Sequence, residues 1–101
     1  MFTNERYMTR GIVNCEQAFQ VAPLLFGLVD TMRVEKDYLQ VFRFSVDGKA
    51  TKITHTQEET ENTPEYKNVV TFPHALDELD GNKIYIIDDG MYTTILFADE
   101  Y

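Results

Sequence analysis

Most of the chain alternates apolar and polar residues in the manner of β-strands, and one stretch follows a helical period instead. That stretch predicts a helix from Ala22 to about Arg33, with Pro23 in its first turn, where a missing N–H costs nothing. The apolar stripe of this helix consists of Val21, Leu24, Leu25, Leu28, Val29 and Met32. Phe26 falls outside the stripe, so we expect it either to cover an edge of the sheet or to belong to a partner surface.

The clearest β-signal is a hairpin of Tyr38–Val46 and Lys49–His55 around Asp47-Gly48, a dipeptide typical of a two-residue type I′ turn. Such a loop sets the register of the whole hairpin. The predicted partners are Val46 with Lys49, Phe44 with Thr51, Phe42 with Ile53, and Gln40 with His55. Phe42, Phe44 and Ile53 then share the face that should meet the helix.

The remaining segments complete an α+β pattern. They are predicted as a strand at Glu5–Val13, a turn or short helical piece at Asn14–Gln20, a loop at Gln57–Glu65, a strand at Tyr66–Phe72, a short helix at Pro73–Asp80 and a second hairpin at Lys83–Ile87 and Tyr92–Phe97. Both faces of the second hairpin are apolar, which is typical of central strands covered twice. We expect the second cover to be loops or another copy of the protein.

The predicted fold class is therefore α+β, an antiparallel sheet of about five or six strands with one main helix packed on one face. A chain of 101 residues with 44% hydrophobic residues supports a single domain, spanning 1–101. Its one cysteine, Cys15, cannot form an internal disulfide and is expected to be a structural thiol near a turn or helix start. The first residues do not have the pattern of a signal peptide, and no apolar run could span a bilayer, so we expect a cytoplasmic protein without membrane contact.

Charge is unevenly distributed along the chain. The net charge is −8; the residues up to Gln57 carry seven Arg/Lys and six Asp/Glu, whereas the residues from Glu58 onward carry two Lys and eleven Asp/Glu. A surface with this charge repels phosphate backbones, so we expect no direct binding of nucleic acid. Solubility alone explains the charge, and attraction of a basic protein partner is the functional alternative.

Sequence motifs give little evidence of catalysis. Glycine-rich phosphate loops, zinc-protease helices and paired cysteines do not occur, and the acidic run before Gly81 has the wrong spacing for a calcium loop. His55, with Gln57 and Glu58, could line a polar pocket, although a structural role is favoured. Asp88 and Asp89 are typical turn residues. Tyr92 and Tyr101 could be exposed interface anchors.

Several segments resemble an uncharacterised family of small proteins from Gram-positive bacteria, a domain of unknown function. They are Asn4–Ile12, Asp37–Phe42, Ile53–Glu58, Pro64–Tyr66, Tyr85–Gly90 and Ala98–Tyr101. Together they span nearly the whole chain. The resemblance implies a cytoplasmic, single-domain bacterial protein, and it implies no reaction and no catalytic residues.

These observations leave three hypotheses of function. The first is a non-enzymatic interaction or regulatory module that presents an acidic surface to a basic protein. The second is a small-molecule binder or enzyme with a polar pocket around His55, and the third is a structural homodimer through the final hairpin. We expect no cofactor, metal or catalytic residues. The candidate binding surface consists of His55, Gln57, Glu58, Glu59, Glu61, Asp88, Asp89, Tyr92 and Tyr101.

Overall fold

A computed structural model describes residues 1–58 and 63–101. The strands are β1 (Glu5–Met8), β2 (Leu39–Asp47), β3 (Ala50–Gln57), β4 (Lys67–Phe72), β5 (Lys83–Asp88) and β6 (Tyr92–Phe97). The helices are α1 (Arg10–Asn14) and α2 (Glu16–Asp30), with single 3₁₀ turns at Asp77–Leu79 and Ala98–Glu100. The strands form one six-stranded sheet in the order β1-β6-β5-β2-β3-β4.

This architecture confirms the predicted α+β class, with one main helix and a short additional one. The sheet is mixed, because β1 runs parallel to β6 while every other neighbouring pair is antiparallel. The prediction of an antiparallel sheet was therefore wrong for the β1–β6 pair alone. The parallel contact joins the first strand to a hairpin made from the last part of the chain.

Helix α2 is longer than its apolar stripe predicts. It begins at Glu16 rather than at Ala22, and Cys15 lies at the junction with α1. Pro23 lies in the middle of the helix, where it removes one backbone hydrogen bond, so its assignment to the first turn was wrong. The helix continues through the proline because core residues on both sides of it are buried.

The buried side of α2 is also rotated from the predicted stripe. It consists of Ala18, Val21, Ala22, Leu25, Phe26 and Val29, which recur at i, i+3, i+4, i+7, i+8 and i+11. Leu24 was wrongly placed in the core and is 37% exposed. Phe26 is buried, and the Arg6 guanidinium of edge strand β1 lies 4.7 Å from its ring centroid. Of the two expectations for Phe26, packing at a sheet edge therefore agrees with the structure.

The predicted strand Glu5–Val13 divides into two elements. β1 ends at Met8, and Thr9 caps α1 by accepting a hydrogen bond from the Ile12 N–H at 3.4 Å. Glu100 also accepts the Gly11 N–H at 3.2 Å, so a carboxylate from the other end of the chain stabilises the first helical turn. Such a contact is invisible in the local sequence pattern.

The first hairpin has the predicted strands in a different register. The loop is Gly48-Lys49, Asp47 pairs with Ala50, and Gly48 has a φ of +65°. A positive φ at the first loop position alone is the pattern of a type II′ turn, so the predicted type I′ turn at Asp47-Gly48 was wrong. The shift is two residues, which preserves the side of the sheet on which each side chain lies. Phe42, Phe44 and Ile53 therefore share the buried face, as predicted.

The second hairpin agrees with its predicted limits to within one residue. Ile84 pairs with Phe97 and Ile86 with Ile95 toward the helices, and both strands lie inside the sheet, as apolar faces on both sides predict. The link from β4 has one 3₁₀ turn in place of the predicted short helix. The buried Thr51 hydroxyl holds this link, donating to the His74 carbonyl and accepting from the Leu76 N–H, each at 2.8 Å.

The rotation of α2 is testable with neighbouring leucines. Leu25→Ala should lower the free energy of unfolding by about 2–5 kcal/mol, because it opens a cavity in the core. Leu24→Ala is the matched control on the exposed side and should cost no more than about 1 kcal/mol. Urea denaturation at neutral pH measures both. Equal losses would place the two side chains in equivalent environments and contradict the described orientation.

Candidate functional site

His55 lies inside the molecule, in a polar network between the sheet and two connecting segments. Its side chain is fully buried, stacked on Phe42 with ring centroids 4.4 Å apart and edge-on to Tyr66 at 5.1 Å. The His55 Nε2 lies 2.7 Å from the Gln40 Oε1. The Gln40 amide nitrogen donates to the Asp37 carbonyl and to the Gln57 Oε1, each at 2.9 Å.

The backbone fixes the direction of every hydrogen bond in this network. The Asp37 N–H must donate, so the Gln57 Oε1 faces it at 2.8 Å, and the Gln57 amide nitrogen donates to the Glu35 and Pro64 carbonyls. Gln40 then presents its oxygen to His55, whose Nε2 must carry a proton. The His55 Nδ1 is buried without a hydrogen-bond partner in the described residues, and burial lowers the pKa of His55 to about 4.

This arrangement is suited to holding the fold together. Gln57 ties the segment after α2 to the segment before β4, and His55 orients Gln40 within the same network. A general base needs contact with a substrate, which a fully buried imidazole lacks. Glu58 is exposed at the end of β3, and Glu59 and Glu61 lie outside the described residues.

Asp88 is a buried carboxylate that joins the two ends of the chain. It accepts hydrogen bonds from the Phe2 N–H at 2.7 Å, the Gly90 N–H at 2.8 Å and the Asn4 amide at 3.0 Å. Burial alone would raise the pKa of Asp88, but these donors and the nearby N-terminal charge together hold it below its ordinary value. The buried Phe2 is held at a φ of +65°, a strained conformation that this anchoring stabilises.

Two further acidic side chains, Asp89 and Glu100, also accept hydrogen bonds from backbone N–H groups. Asp89 accepts the Met91 and Tyr92 N–H groups at 2.9 and 2.8 Å, which is an ordinary turn arrangement. Glu100 accepts from the Phe97 N–H at 2.8 Å and the Thr9 hydroxyl at 2.7 Å, in addition to Gly11. Burial acts to raise the pKa of Glu100, and these three donors outweigh it and lower the pKa. Part of the C-terminal negative charge is thus structural.

The side of the sheet opposite α2, which we call the open face, is not covered by any helix of the described residues. Alternate residues of each strand lie on this face. They include Glu5 and Tyr7 of β1, Val41 and Arg43 of β2, and Tyr85 of β5. Leu96 and Tyr92 of β6 lie on the same face. Exposed antiparallel faces are normally polar, so aromatic and aliphatic residues here are unusual.

Five tyrosines lie in two groups on or beside the open face, and together we call them the tyrosine cluster. They are Tyr7, Tyr38, Tyr85, Tyr92 and Tyr101. Tyr7 and Tyr92 meet edge-on at 5.1 Å and are 47% and 40% exposed. Tyr85 and Tyr101 meet edge-on at 5.8 Å, and the nearby Tyr101 side chain is the main cause of a raised pKa at Tyr38. The exposed rings thus pack in pairs.

Basic side chains occupy the other part of the open face and form what we call the cationic cluster. It consists of Arg43, Lys52, Lys67 and Lys83. Among residues 1–58 and 63–101 the only ion pair joins Arg6 to Asp30, so no described carboxylate lies within salt-bridge distance of these four. Arg43 donates to the Thr56 hydroxyl at 3.2 Å.

The structure therefore separates the residues of the predicted binding surface. His55 and Gln57 lie on the side of the sheet that faces the helices, Asp88 is a buried anchor, and Tyr92 and Tyr101 lie on the open face. The sequence reading missed Tyr7, Tyr85 and the cationic cluster. The sequence did contain a signal for one member of the cationic cluster, because Arg43 lies between Phe42 and Phe44 and must face away from the core. The other members could be grouped with it only once the strand order was known.

Neither the cavities nor the possible metal ligands of the described residues indicate a binding site at His55. One open cavity of about 380 Å³ is lined by Glu78, Lys83, Phe97 and Asp99, among others, and another of about 230 Å³ lies beside Met1 and Val34. In the part of the chain that the structure describes, no three His, Cys, Asp or Glu side chains converge as metal ligands. No described helix is both long and apolar enough to cross a membrane.

Comparisons with known proteins agree with the resemblance noted above. A family model described as "Staphylococcal protein of unknown function (DUF960)" matches residues 5–100. A crystal structure of a protein of unknown function from Enterococcus faecalis is similar at 18% identity, covering 97% of this chain and 91% of that chain, with a TM-score of 0.78. At this identity the likeness shows the fold alone. No curated protein matches. The predicted resemblance to a Gram-positive family of unknown function is confirmed.

The buried imidazole should make stability depend on pH. The folded pKa of His55 is about 4, below its ordinary value, so protons bind preferentially to the unfolded chain as the pH falls from about 6.5 to 4. The resulting loss of unfolding free energy should approach about 3 kcal/mol at low pH, and no part of this loss occurs above pH 7. His55→Phe should remove this part of the slope in urea denaturation, whereas the exposed His74→Gln should retain it. An unchanged slope in His55→Phe would contradict the buried neutral state.

The Asp88 anchor predicts a contrast between adjacent aspartates. Asp88→Asn replaces one accepting oxygen by an amide donor, which must face either the Phe2 N–H at one oxygen or the Gly90 N–H and the Asn4 amide at the other, and should cost about 1–3 kcal/mol of unfolding free energy. Asp89→Asn preserves a turn residue and should change stability by less than about 0.5 kcal/mol. Thermal denaturation at pH 7 compares the two. Similar small losses would show that Asp88 does not anchor the N-terminal segment.

Proposed function

The chain belongs to the family described as staphylococcal proteins of unknown function (DUF960), and on that premise we propose that it is a non-enzymatic interaction module that docks through the open face. One observation carries the proposal: a sheet face without helical cover presents paired tyrosines beside aliphatic side chains. Tyrosines of this kind contribute large contact area at low entropic cost and are enriched at the centres of protein interfaces.

Exposure and packing support this surface. Tyr7 and Tyr92 retain large exposed fractions although each ring is held by the other, so they would lose little freedom on binding. Ile87 of β5 and Val41 of β2, which lies opposite Tyr85, are on the same face as this pair and are only half-buried. A partner that covered them would remove apolar surface from water, which is the main driving force of association.

The acidic-surface version of this hypothesis has a weaker geometric basis. Glu58, Glu65, Asp77 and Glu78 are exposed and could meet a basic protein. Asp88 and Glu100, by contrast, are occupied by backbone N–H groups. We retain a basic protein partner as a second proposal, and capture of basic proteins that is lost on raising the salt concentration would support it.

The two other hypotheses rank below docking through the open face. A polar pocket at His55 has no support from the geometry, because that imidazole is fully buried. A homodimer through the last hairpin would use the same open face and is an alternative outcome of the test below. The proposal includes a cytoplasmic location, which the single free cysteine Cys15 supports.

Site-specific photo-crosslinking tests the docking surface. A photoreactive phenylalanine analogue replaces Tyr92 on the open face or, as matched control, Phe19, which is 53% exposed on α2. In the bacterium from which the chain comes, position 92 should form adducts with a defined set of proteins, and position 19 should not. Mass spectrometry identifies the adducts.

Three results of this experiment would count against docking through the open face. They are adducts from neither position, identical adducts from both positions, or adducts from position 19 alone. An adduct of the chain with itself from position 92 would support the homodimer instead. Unchanged melting temperatures of both variants would establish that the fold is intact.

A further inference from the structure

The cationic cluster contains a pairing that is unfavourable for the isolated domain. Arg43 of β2 lies directly opposite Lys83 of β5. The next pair, Phe44 and Asn82, is joined by a ladder hydrogen bond of 3.3 Å, which leaves Arg43 and Lys83 as a non-hydrogen-bonded pair. Side chains approach most closely in such pairs, and like charges there destabilise a sheet.

Neighbouring residues increase this positive charge rather than neutralise it. Lys52 lies diagonally across from Arg43 on β3, and Lys67 lies opposite Thr56, which accepts a hydrogen bond from Arg43. The chain has nine Lys and Arg residues against seventeen Asp and Glu, so carboxylates are not scarce. Four cations therefore lie on one face of the sheet without a salt bridge to any described carboxylate. Such a face is suited to binding an anion.

From this geometry we infer that the partner presents a short acidic segment of polypeptide to the open face, with its carboxylates on Arg43 and Lys83 and its apolar side chains on the tyrosine cluster. The inference rests on the proposed function and names the partner's chemistry. Arginine and lysine are the natural counterparts of carboxylates, and the adjacent Tyr85 and Val41 supply an apolar contact on the same face.

A second copy of the chain is a poor occupant of this face. β5 and β2 are the two middle strands of the sheet, so the Arg43–Lys83 pair lies near the centre of the open face. A twofold axis through that centre would bring the two cationic pairs against each other. Like-charge contact in an interface strongly disfavours that arrangement.

A long polyanion is also disfavoured. Carboxylates lie near the cationic cluster at Asp47 at the hairpin tip and at Glu58 after β3, and Glu5 lies farther away on the edge strand of the same face. A nucleic acid extending across the sheet would pass these acidic residues and be repelled by them. A short segment avoids this repulsion.

Titration of the ¹⁵N-labelled protein tests the chemistry directly. The probe is the capped peptide Glu-Leu-Glu-Glu-Leu-Glu, compared with the same peptide carrying Gln in place of Glu and with oligouridylate of equal charge. The acidic peptide should shift amide signals of β2 and β5 around Arg43 and Lys83, and the Gln peptide should not. Tighter binding of oligouridylate, or shifts confined to other strands, would overturn the inference.

Two double variants separate local charge from total charge. Arg43→Ser with Lys83→Thr should weaken peptide binding about tenfold, since two exposed charge contacts are lost. It should also raise the melting temperature by about 1–5 °C at low salt, because the repulsion between the pair disappears. Arg33→Ser with Lys49→Ser removes the same charge from exposed positions elsewhere and should change affinity less than about twofold.

The same variants distinguish failure of this inference from failure of the proposed function. If cross-links from position 92 survive intact in the Arg43→Ser, Lys83→Thr protein, docking through the open face stands and the acidic segment is wrong. If the wild-type chain gives no such cross-links, the proposed function itself fails. Equal peptide affinities in both double variants would also overturn the inference.

Discussion

The packing of one helix against one side of the sheet is the contact from which the rest of the structure follows. α2 provides Val21, Leu25 and Val29 to a core that includes Phe42 and Ile53, all of them buried. No other described helix has more than five residues, so the chain can cover one side of six strands but not both. The identity of that side then decides which residues remain in contact with water.

Burial on the helical side explains why the polar residues there act as structural elements. His55 and Gln40 are fully buried and Gln57 is 7% exposed, so each must find most of its partners within the protein. The network satisfies the two glutamines completely and leaves a single imidazole nitrogen unpaired. The same rule applies to Asp88, whose carboxylate is stable in a buried position because three donors surround it.

Sequence periodicity was sufficient for the fold class and for the sides of the strands. Phe42, Phe44 and Ile53 were placed correctly although the hairpin register was wrong, since a shift of two residues leaves each side chain on the same face. Periodicity was insufficient where distant parts of the chain meet. Glu100 at the first turn of α1 and Phe2 beside Asp88 are contacts between the two ends, and no local pattern contains them.

The candidate site was less predictable than the fold for a related reason. Polar residues close together in the sequence, such as His55 and Gln57, suggested a shared site, but they line the buried side of a strand. The cationic cluster draws one residue from each of four strands, so it exists only after β5 is inserted beside β2. The net charge of the chain also favoured an acidic binding surface, because a sum over all residues conceals the positively charged open face.

The parallel pairing of β1 with β6 has a consequence for biosynthesis. β1 is synthesised well before its partner strand β6, and the hydrogen bonds from Phe2 and Asn4 to Asp88 join residues more than eighty positions apart. β1 must therefore remain unpaired until β6 has been synthesised. Closure of the sheet at this edge cannot precede that point, and a chain that stalled or was cut before β6 would leave β1 unpaired.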